Sequence, residues 1–179
     1  MAETHVDEEP TRRDFLYVAT GAFAAAGAAA VAWPLIDQMN PSAAVQALAS
    51  IDVTIGDIPV GQEITVQWRG KPVFIRHRTE EEIQAAETTP LDELRDPVDD
   101  AGRVKVWDGK LQKEWLVVIG ICTHLGCVPL SYEGRFDGWF CPCHGSGYDT
   151  AGRIRYGPAP ANLVLPPYEF TSAESVKIG

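Results

Sequence analysis

Trp115-Leu-Val-Val-Ile-Gly-Ile-Cys122-Thr-His124-Leu-Gly-Cys127 is an apolar run that breaks into a loop rich in thiol and imidazole, and 13 residues later Cys141-Pro-Cys143-His144-Gly-Ser146 answers it. The unbroken apolar stretch Trp115 to Ile121 predicts a strand buried on both faces. The loops read C-x-H-x2-C and C-x-C-H. Each offers one thiolate, one imidazole and one further cysteine. All four cysteines of the chain, and two of its four histidines, lie between positions 122 and 144. Six ligand-capable side chains exceed what one tetrahedral metal ion needs.

Moving outward from this stretch, the neighbouring patterns are also those of strands. Glu63-Ile-Thr-Val-Gln-Trp68 alternates, Arg69-Gly-Lys-Pro72 turns, and Val73-Phe-Ile75 with Arg76 returns, which predicts a hairpin. Leu163 to Phe170 and Ser175 to Ile178 read as later strands. Thr79-Glu-Glu-Glu82 has the form of a capping box and predicts a short helix toward Glu87. Residues 79–114 hold 11 acidic and 5 basic side chains, which predicts a solvated insertion with no assigned chemistry. His77, between Arg76 and Arg78, reads as a surface residue, as does His5. Trp68, Trp107, Trp115, Trp139 and Phe140 read as core.

The 179 residues suffice for one domain and an anchor. Apolar residues make up 45% and charged residues 22%, which excludes a chain disordered throughout. A net charge of −10 argues against nucleic acid as a partner, because phosphate would be repelled.

The N-terminal region differs in kind. Phe15 to Ile36 is a run of 22 uncharged residues, and as a helix it reaches about 33 Å, enough to cross a bilayer. Arg12 and Arg13 precede it, and no Lys or Arg follows until Arg69, so the basic-residue asymmetry puts the N-terminus in the cytoplasm and the bulk of the chain outside. Thr11-Arg-Arg-Asp-Phe-Leu16 resembles a twin-arginine export signal. Ala47-Leu-Ala49 has the small-x-small form of a cleavage site, but the apolar run is longer than a cleavable segment, which favours a retained anchor. Asp37 to Ser50 reads as a tether, able when extended to cover about 46 Å. The expected division is a cytoplasmic segment over 1–14, a transmembrane helix over 15–36, a flexible tether over 37–50 and a head over 51–179.

Two cysteines and two histidines would satisfy a 2Fe-2S cluster with thiolates on one iron and imidazoles on the other, leaving two cysteines for a disulfide. CTHLGC and CPCHGS resemble the two cluster-binding loops of Rieske iron-sulfur proteins. With the anchor, the tether and a later Gly157-Pro-Ala-Pro160 loop, the chain is similar to the Rieske subunits of cytochrome bc1 complexes. The resemblance implies an all-β fold, an antiparallel β-sheet head with a cluster-binding subdomain over about 120–160, plus the one N-terminal transmembrane helix. It implies that Cys122 and Cys141 hold one iron, that His124 and His144 hold the other, and that Cys127 and Cys143 are bridged. Ser146 and Tyr148 resemble the family's hydroxyl donors to cluster sulfur, and Leu125 its docking contact near the quinone pocket. Two positions depart from the usual pattern: Gly147, where many relatives carry a side chain, and Tyr156, where a lysine is often seen.

The resemblance further implies the function. Ubiquinol in a pocket of cytochrome b would donate a hydrogen bond to His144, the catalytic histidine, and pass it a proton as the cluster takes one electron. The head would then move on its tether to cytochrome c1, the whole lying in a dimeric complex of a bacterial inner membrane, with lipid around the anchor and the head in the periplasm. Rival readings are the Rieske electron-transfer subunit of another enzyme, such as an arsenite oxidase small subunit or a dioxygenase ferredoxin, and a membrane-anchored structural zinc or disulfide module.

Overall fold

The computed structural model describes residues 11–43, 45 and 49–179 and divides into two units, Met1–Gln46 and Ala47–Gly179. The segment before Thr11, with His5, lies outside the described residues, as do Ala47 and Leu48 of the small-x-small stretch. The expected tether is described only at 37–43, 45, 49 and 50.

In the first unit Arg12–Asp37 form one helix, α1. Thr11 caps it reciprocally: its Oγ1 accepts from the Asp14 N–H, and the Asp14 carboxylate accepts from the Thr11 N–H. This satisfies donors that a helix start leaves free. Arg12 and Arg13 therefore lie inside the first helical turn, ahead of the apolar span, rather than in a separate segment. The helix is long and apolar enough to cross a membrane, and none of its side chains is buried.

The second unit is three larger antiparallel sheets around two cores, with a separate two-stranded sheet. Its middle layer is β2 (Glu63–Trp68), β3 (Lys71–His77) and β6 (Trp115–Ile119), in the order β2-β3-β6. Arg69 and Gly70 make the β2–β3 turn, both at positive φ, the conformation that tight hairpins favour. Val73 pairs with Ile119, Phe74 with Val118 and Ile75 with Val117. Successive side chains point to opposite faces, so the apolar run of β6 serves two cores at once. Val73, Ile75, Val117 and Ile119 face one core, while Phe74, Leu116 and Val118 face the other. Beyond Ile119 the Gly120 N–H still donates to the Pro72 carbonyl at 2.8 Å, and the Phe74 ring packs on Gly120 so closely that a Cβ would fall 2.4 Å from it.

The first core is closed by β1 (Ile51–Thr54), β11 (Tyr168–Ser172) and β12 (Ser175–Ile178), in the order β1-β12-β11. Leu163 to Phe170 was expected as one strand, but β11 begins at Tyr168. Pro166 and Pro167 have no N–H to give to a ladder. The second core is closed by β7 (Leu130–Ser131), β8 (Asp137–Cys141), β9 (Ser146–Asp149) and β10 (Ile154–Tyr156), in the order β10-β9-β8-β7. A small hairpin, β4 (Val106–Trp107) with β5 (Lys110–Leu111), completes the strands.

The stretch 79–114 is not the solvated insertion its charge suggests. It opens with α2 (Glu80–Glu87), capped by Thr79 and Glu82, and buries Ile83, Ala86, Leu94 and Val104. Two of its acidic residues are counter-charges for arginines inside the fold: Glu82 pairs with the buried Arg76, and Asp100 with the buried Arg78 at 2.6 Å. Arg103, also buried, donates to the carbonyls of Ala151 (2.9 Å) and Leu163 (2.6 Å). Burial pushes its pKa down to about 10, so it stays charged at neutral pH. Nor is His77 a free surface residue, since its ring stacks on Trp115 at 4.0 Å and its Nδ1 lies 2.7 Å from the Ile58 carbonyl. Trp68, Trp115 and Trp139 are buried, whereas Trp107 and Phe140 are half-buried.

Candidate metal centre

The thiol and imidazole loops leave the second core at one end. The first follows β6 and the second links β8 to β9. Both contain the same turn: the Cys122 carbonyl accepts from the Gly126 N–H at 3.0 Å, and the Cys141 carbonyl from the Gly145 N–H at 2.9 Å. Gly126 and Gly145 sit at φ +85° and +75°, a region open to glycine at little cost. A further bond, from the Cys122 N–H to the Cys127 carbonyl at 2.8 Å, tightens the first loop. The two turns are tied by the Cys127–Cys143 disulfide, with Cα atoms 6.8 Å apart.

Cys122 and Cys141 are free thiols, both buried at the base of the loops. They interact with one another. Burial opposes ionisation of Cys122, yet hydrogen bonds from Tyr148, the His124 N–H, Cys141 and Ser146 outweigh it and hold the thiol below its ordinary range. Burial pushes the Cys141 thiol up, against bonds from the Cys143 and His144 N–H groups. His124 and His144 face each other edge to face, their ring centroids 4.7 Å apart. His124 is half-buried and His144 exposed. The buried Nδ1 of His124 has no hydrogen-bond partner, an unusual state for a polar atom in a folded protein and the one expected of a ligand. Cys127 and Cys143 have spent their sulfurs on each other, so the donors left are two thiols and two imidazoles. That set fits a 2Fe-2S centre of mixed ligation.

Tyr148 Oη donates to Cys122 Sγ at 3.2 Å and accepts from the Thr123 N–H at 3.3 Å. Burial and its bond to Cys122 raise the phenol above its ordinary range, so it remains a donor. Ser146 is buried, pairs across the strands with Cys141, and accepts from the Ala159 N–H at 3.1 Å. Leu125 stands at the tip of the first loop, 72% exposed. Gly147 and Tyr156 are cross-strand partners, and a Cβ on Gly147 would fall 2.2 Å from the Tyr156 ring. The two departures from the usual pattern are thus one feature, a large ring that needs a glycine opposite it. Arg12 and Arg13 belong to the other unit, exposed at the start of α1, where Arg13 donates to Tyr17 Oη at 3.0 Å.

Sequence reasoning missed Thr123, whose Oγ1 donates to the Ala161 carbonyl at 2.6 Å. Its place between Cys122 and His124 was the available signal. It also missed Arg95, Asp96 and Asn162, which no local pattern marks.

The chain is similar to known proteins over nearly its whole length. Residues 51–169 match the Rieske [2Fe-2S] domain family, and residues 2–42 match a family described as Ubiquitinol-cytochrome C reductase Fe-S subunit TAT signal. The ubiquinol-cytochrome c reductase iron-sulfur subunit of Blastochloris viridis is 59% identical over 172 residues, covering 96% of this chain and 94% of the relative. That of Bradyrhizobium diazoefficiens is 56% identical over 173 residues, 96% of each chain. That of Rhodobacter capsulatus is 50% identical over 186 residues, 97% of each. Among solved structures, a chain of a hyperthermophilic respiratory Complex III shares the fold, with a TM-score of 0.52, 23% identity, and coverage of 89% of this chain and 98% of the other.

Proposed function

This chain belongs to the Rieske [2Fe-2S] family, among the ubiquinol-cytochrome c reductase iron-sulfur subunits, and from that premise we propose how its residues carry an electron. Its role is electron transfer through a Rieske 2Fe-2S cluster in an oxidoreductase complex. Cys122 and Cys141 hold one iron, and His124 and His144 hold the other. The observation that carries this reading is the donor set itself: two free buried thiols and two facing imidazoles, on two loops closed by the same turn. When bound, the cluster supplies a one-electron couple at about −150 to +300 mV, against about −400 mV for plant-type ferredoxins with four thiolates.

The chain's own groups do the rest. Tyr148, by its bond to Cys122, and Ser146, as a donor to a bridging sulfide, favour the more negative state of the sulfur cage. His144, the exposed imidazole, receives the hydrogen bond of ubiquinol and holds its proton on Nε2, which makes this chain a catalytic subunit of the reductase. Leu125 covers the neighbouring face and seats the tip against cytochrome b. The tether over 37–50 lets the head deliver the electron to cytochrome c1, within a dimeric complex. Arg12 and Arg13 direct export. The chain then sits in the bacterial inner membrane with its N-terminus in the cytoplasm, lipid around α1, and its head in the periplasm.

A redox titration of the complete chain in its membrane complex, followed by electron paramagnetic resonance at several pH values, tests this. A rhombic signal at high potential that falls as pH rises is expected, because proton and electron arrive together. A low potential independent of pH would end the quinol reading. Cys122→Ser or His144→Ala should remove the signal and the iron, and retention of both in either variant would end the ligand assignment.

A further inference from the structure

Arg95 lies in the acidic stretch to which the sequence assigns no chemistry, and its side chain is exposed. Yet its Nη1 donates to two carbonyls of the Gly157–Pro160 loop, those of Gly157 and Ala159, each at 2.6 Å. Asp96, next to it, holds the following segment: its Oδ2 accepts from the Asn162 N–H at 3.0 Å, and its carbonyl accepts from Asn162 Nδ2 at 3.0 Å. Asn162 Oδ1 in turn accepts from the Ile154 N–H at 2.9 Å. Two consecutive residues therefore grip residues 157–162 from the outer side.

The inner side of the same loop faces the metal centre. Gly157 packs so closely on Ser146 that a Cβ would lie 2.4 Å from the Ser146 Cα. The Ala159 N–H donates to Ser146 Oγ at 3.1 Å, and the Ala161 carbonyl accepts from Thr123 Oγ1 at 2.6 Å. A hydroxyl carries one proton and can rotate to choose a partner. Ser146 is the cross-strand partner of Cys141, and with its oxygen accepting from the Ala159 N–H its proton is left for the metal centre instead of the loop. The Ala159 residue that imposes this choice is fixed at its own carbonyl by Arg95. A charged donor shared between two carbonyls is a stronger restraint than a neutral hydrogen bond.

We propose that Arg95, backed by Asp96, is a positioning residue for the cluster: by holding the 157–162 loop it holds the Ser146 hydroxyl as a donor to cluster sulfur and so sets the reduction potential. This rests on the reading of Cys122 and Cys141 as ligands and of Ser146 as a donor to cluster sulfur. Arg95 touches no ligand and donates nothing to sulfur, so it acts only through Ala159 and Ser146.

The test is Arg95→Met and Arg95→Lys in the complete chain within its membrane complex. In Arg95→Met the rhombic signal and iron content should persist while the potential falls by part of the drop seen in Ser146→Ala. Exchange of the Ala159 amide hydrogen should quicken about tenfold. Arg95→Lys, which keeps a donor but reaches one carbonyl at a time, should recover part of the loss. In a Ser146→Ala background, Arg95→Met should leave the potential where Ser146→Ala alone puts it. A full additional drop in that background would overturn the proposal, since it would mean that the lost positive charge acts directly. An unmoved potential in Arg95→Met would also overturn it. If Arg95→Met binds no cluster, exchange at Ala159 in the folded chain decides: unchanged protection overturns the proposal and lost protection supports it. Failure of the ligand reading shows separately, as iron retained in Cys122→Ser.

Discussion

The β2-β3-β6 sheet is a wall shared by two halves that are built differently. On one side Val73, Ile75, Val117 and Ile119 meet Phe170, Val176 and Ile178, and the core is made of aliphatic and aromatic side chains. On the other side Phe74, Leu116 and Val118 meet Trp139, Tyr148, Ile154 and the two free cysteines, and Arg76, Arg78, Arg103 and Arg153 are buried nearby. The first half is held by area removed from water, which any side chain of similar volume supplies. The second is held by directed bonds, each with one donor and one acceptor. Loops that must keep two thiols and two imidazoles in register gain from the second kind, because a guanidinium bound to three partners has one position. The cost of removing a group should differ accordingly between the halves.

The sharpest break is Arg153→Met. Arg153 Nε donates to Asp149 Oδ2 at 2.9 Å, Nη2 to the Ala86 carbonyl at 2.8 Å and Nη1 to the Val98 carbonyl at 3.3 Å. Methionine fills some of the volume and satisfies none of these acceptors, leaving the nearly buried Asp149 carboxylate to the backbone N–H groups of residues 151 and 153 and to Arg155, 3.7 Å away. Loss of about 3–5 kcal/mol is expected in denaturant titration. A loss below that of a methylene deletion in the apolar half would show that the directed bonds contribute little.

Reducing the Cys127–Cys143 disulfide comes next. Its 16-residue separation corresponds to about 3 kcal/mol on the chain-entropy view. Hydrogen exchange should locate the effect: amides of the two loops lose protection while those of β11 and β12 keep theirs. Equal loosening of both halves would mean that the wall transmits the strain.

Gly147→Ala should cost about 1–3 kcal/mol by overpacking, because the new methyl meets the Tyr156 ring. The same change with Tyr156→Leu should recover most of it, a coupling that a double-mutant cycle reads directly. By contrast Ile178→Val, a fully buried site of the apolar half, should cost about 0.5–1.5 kcal/mol with no partner able to rescue it.

The halves also differ in how far they could be read from the chain alone. The alternation of Glu63 to Trp68 and the apolar run of β6 report burial residue by residue, because strand side chains take faces in turn. The paired loops announce their chemistry through residue type, and Thr79 with Glu82 announces a helix start through a local hydrogen bond. The arginines of the second half carry no such mark. A charge reads as solvated unless its partner is known, and Arg78 finds Asp100 while Arg95 finds Ala159, neither within reach of any local pattern. Gly147 and Tyr156 likewise looked like two unrelated departures, since their contact depends on strand register.

The smallest expected effect lies on the seam itself. Glu63, on β2, accepts hydrogen bonds from Ser131 and from Trp139 Nε1 (3.1 Å), both in the second half. Arg76 and Glu82 are the other charges that bear on it. Burial disfavours its carboxylate more than the bonds from Ser131 and Trp139 and the attraction of Arg76 favour it, so its pKa lies above 4.5 in the folded protein. The folded state then keeps a proton that the unfolded chain has already released. Its contribution to stability is complete below the unfolded pKa and is lost as pH rises through the folded one. Glu63→Gln keeps an acceptor for Trp139 without a charge to bury, so it should remove that decline. Stability measured by denaturant titration from pH 4 to pH 7 should fall less steeply with pH in the variant than in the parent. A variant equally weakened at every pH would instead assign Glu63 to the directed bonds of the second half, as a charge whose pairing with Arg76 outweighs its burial.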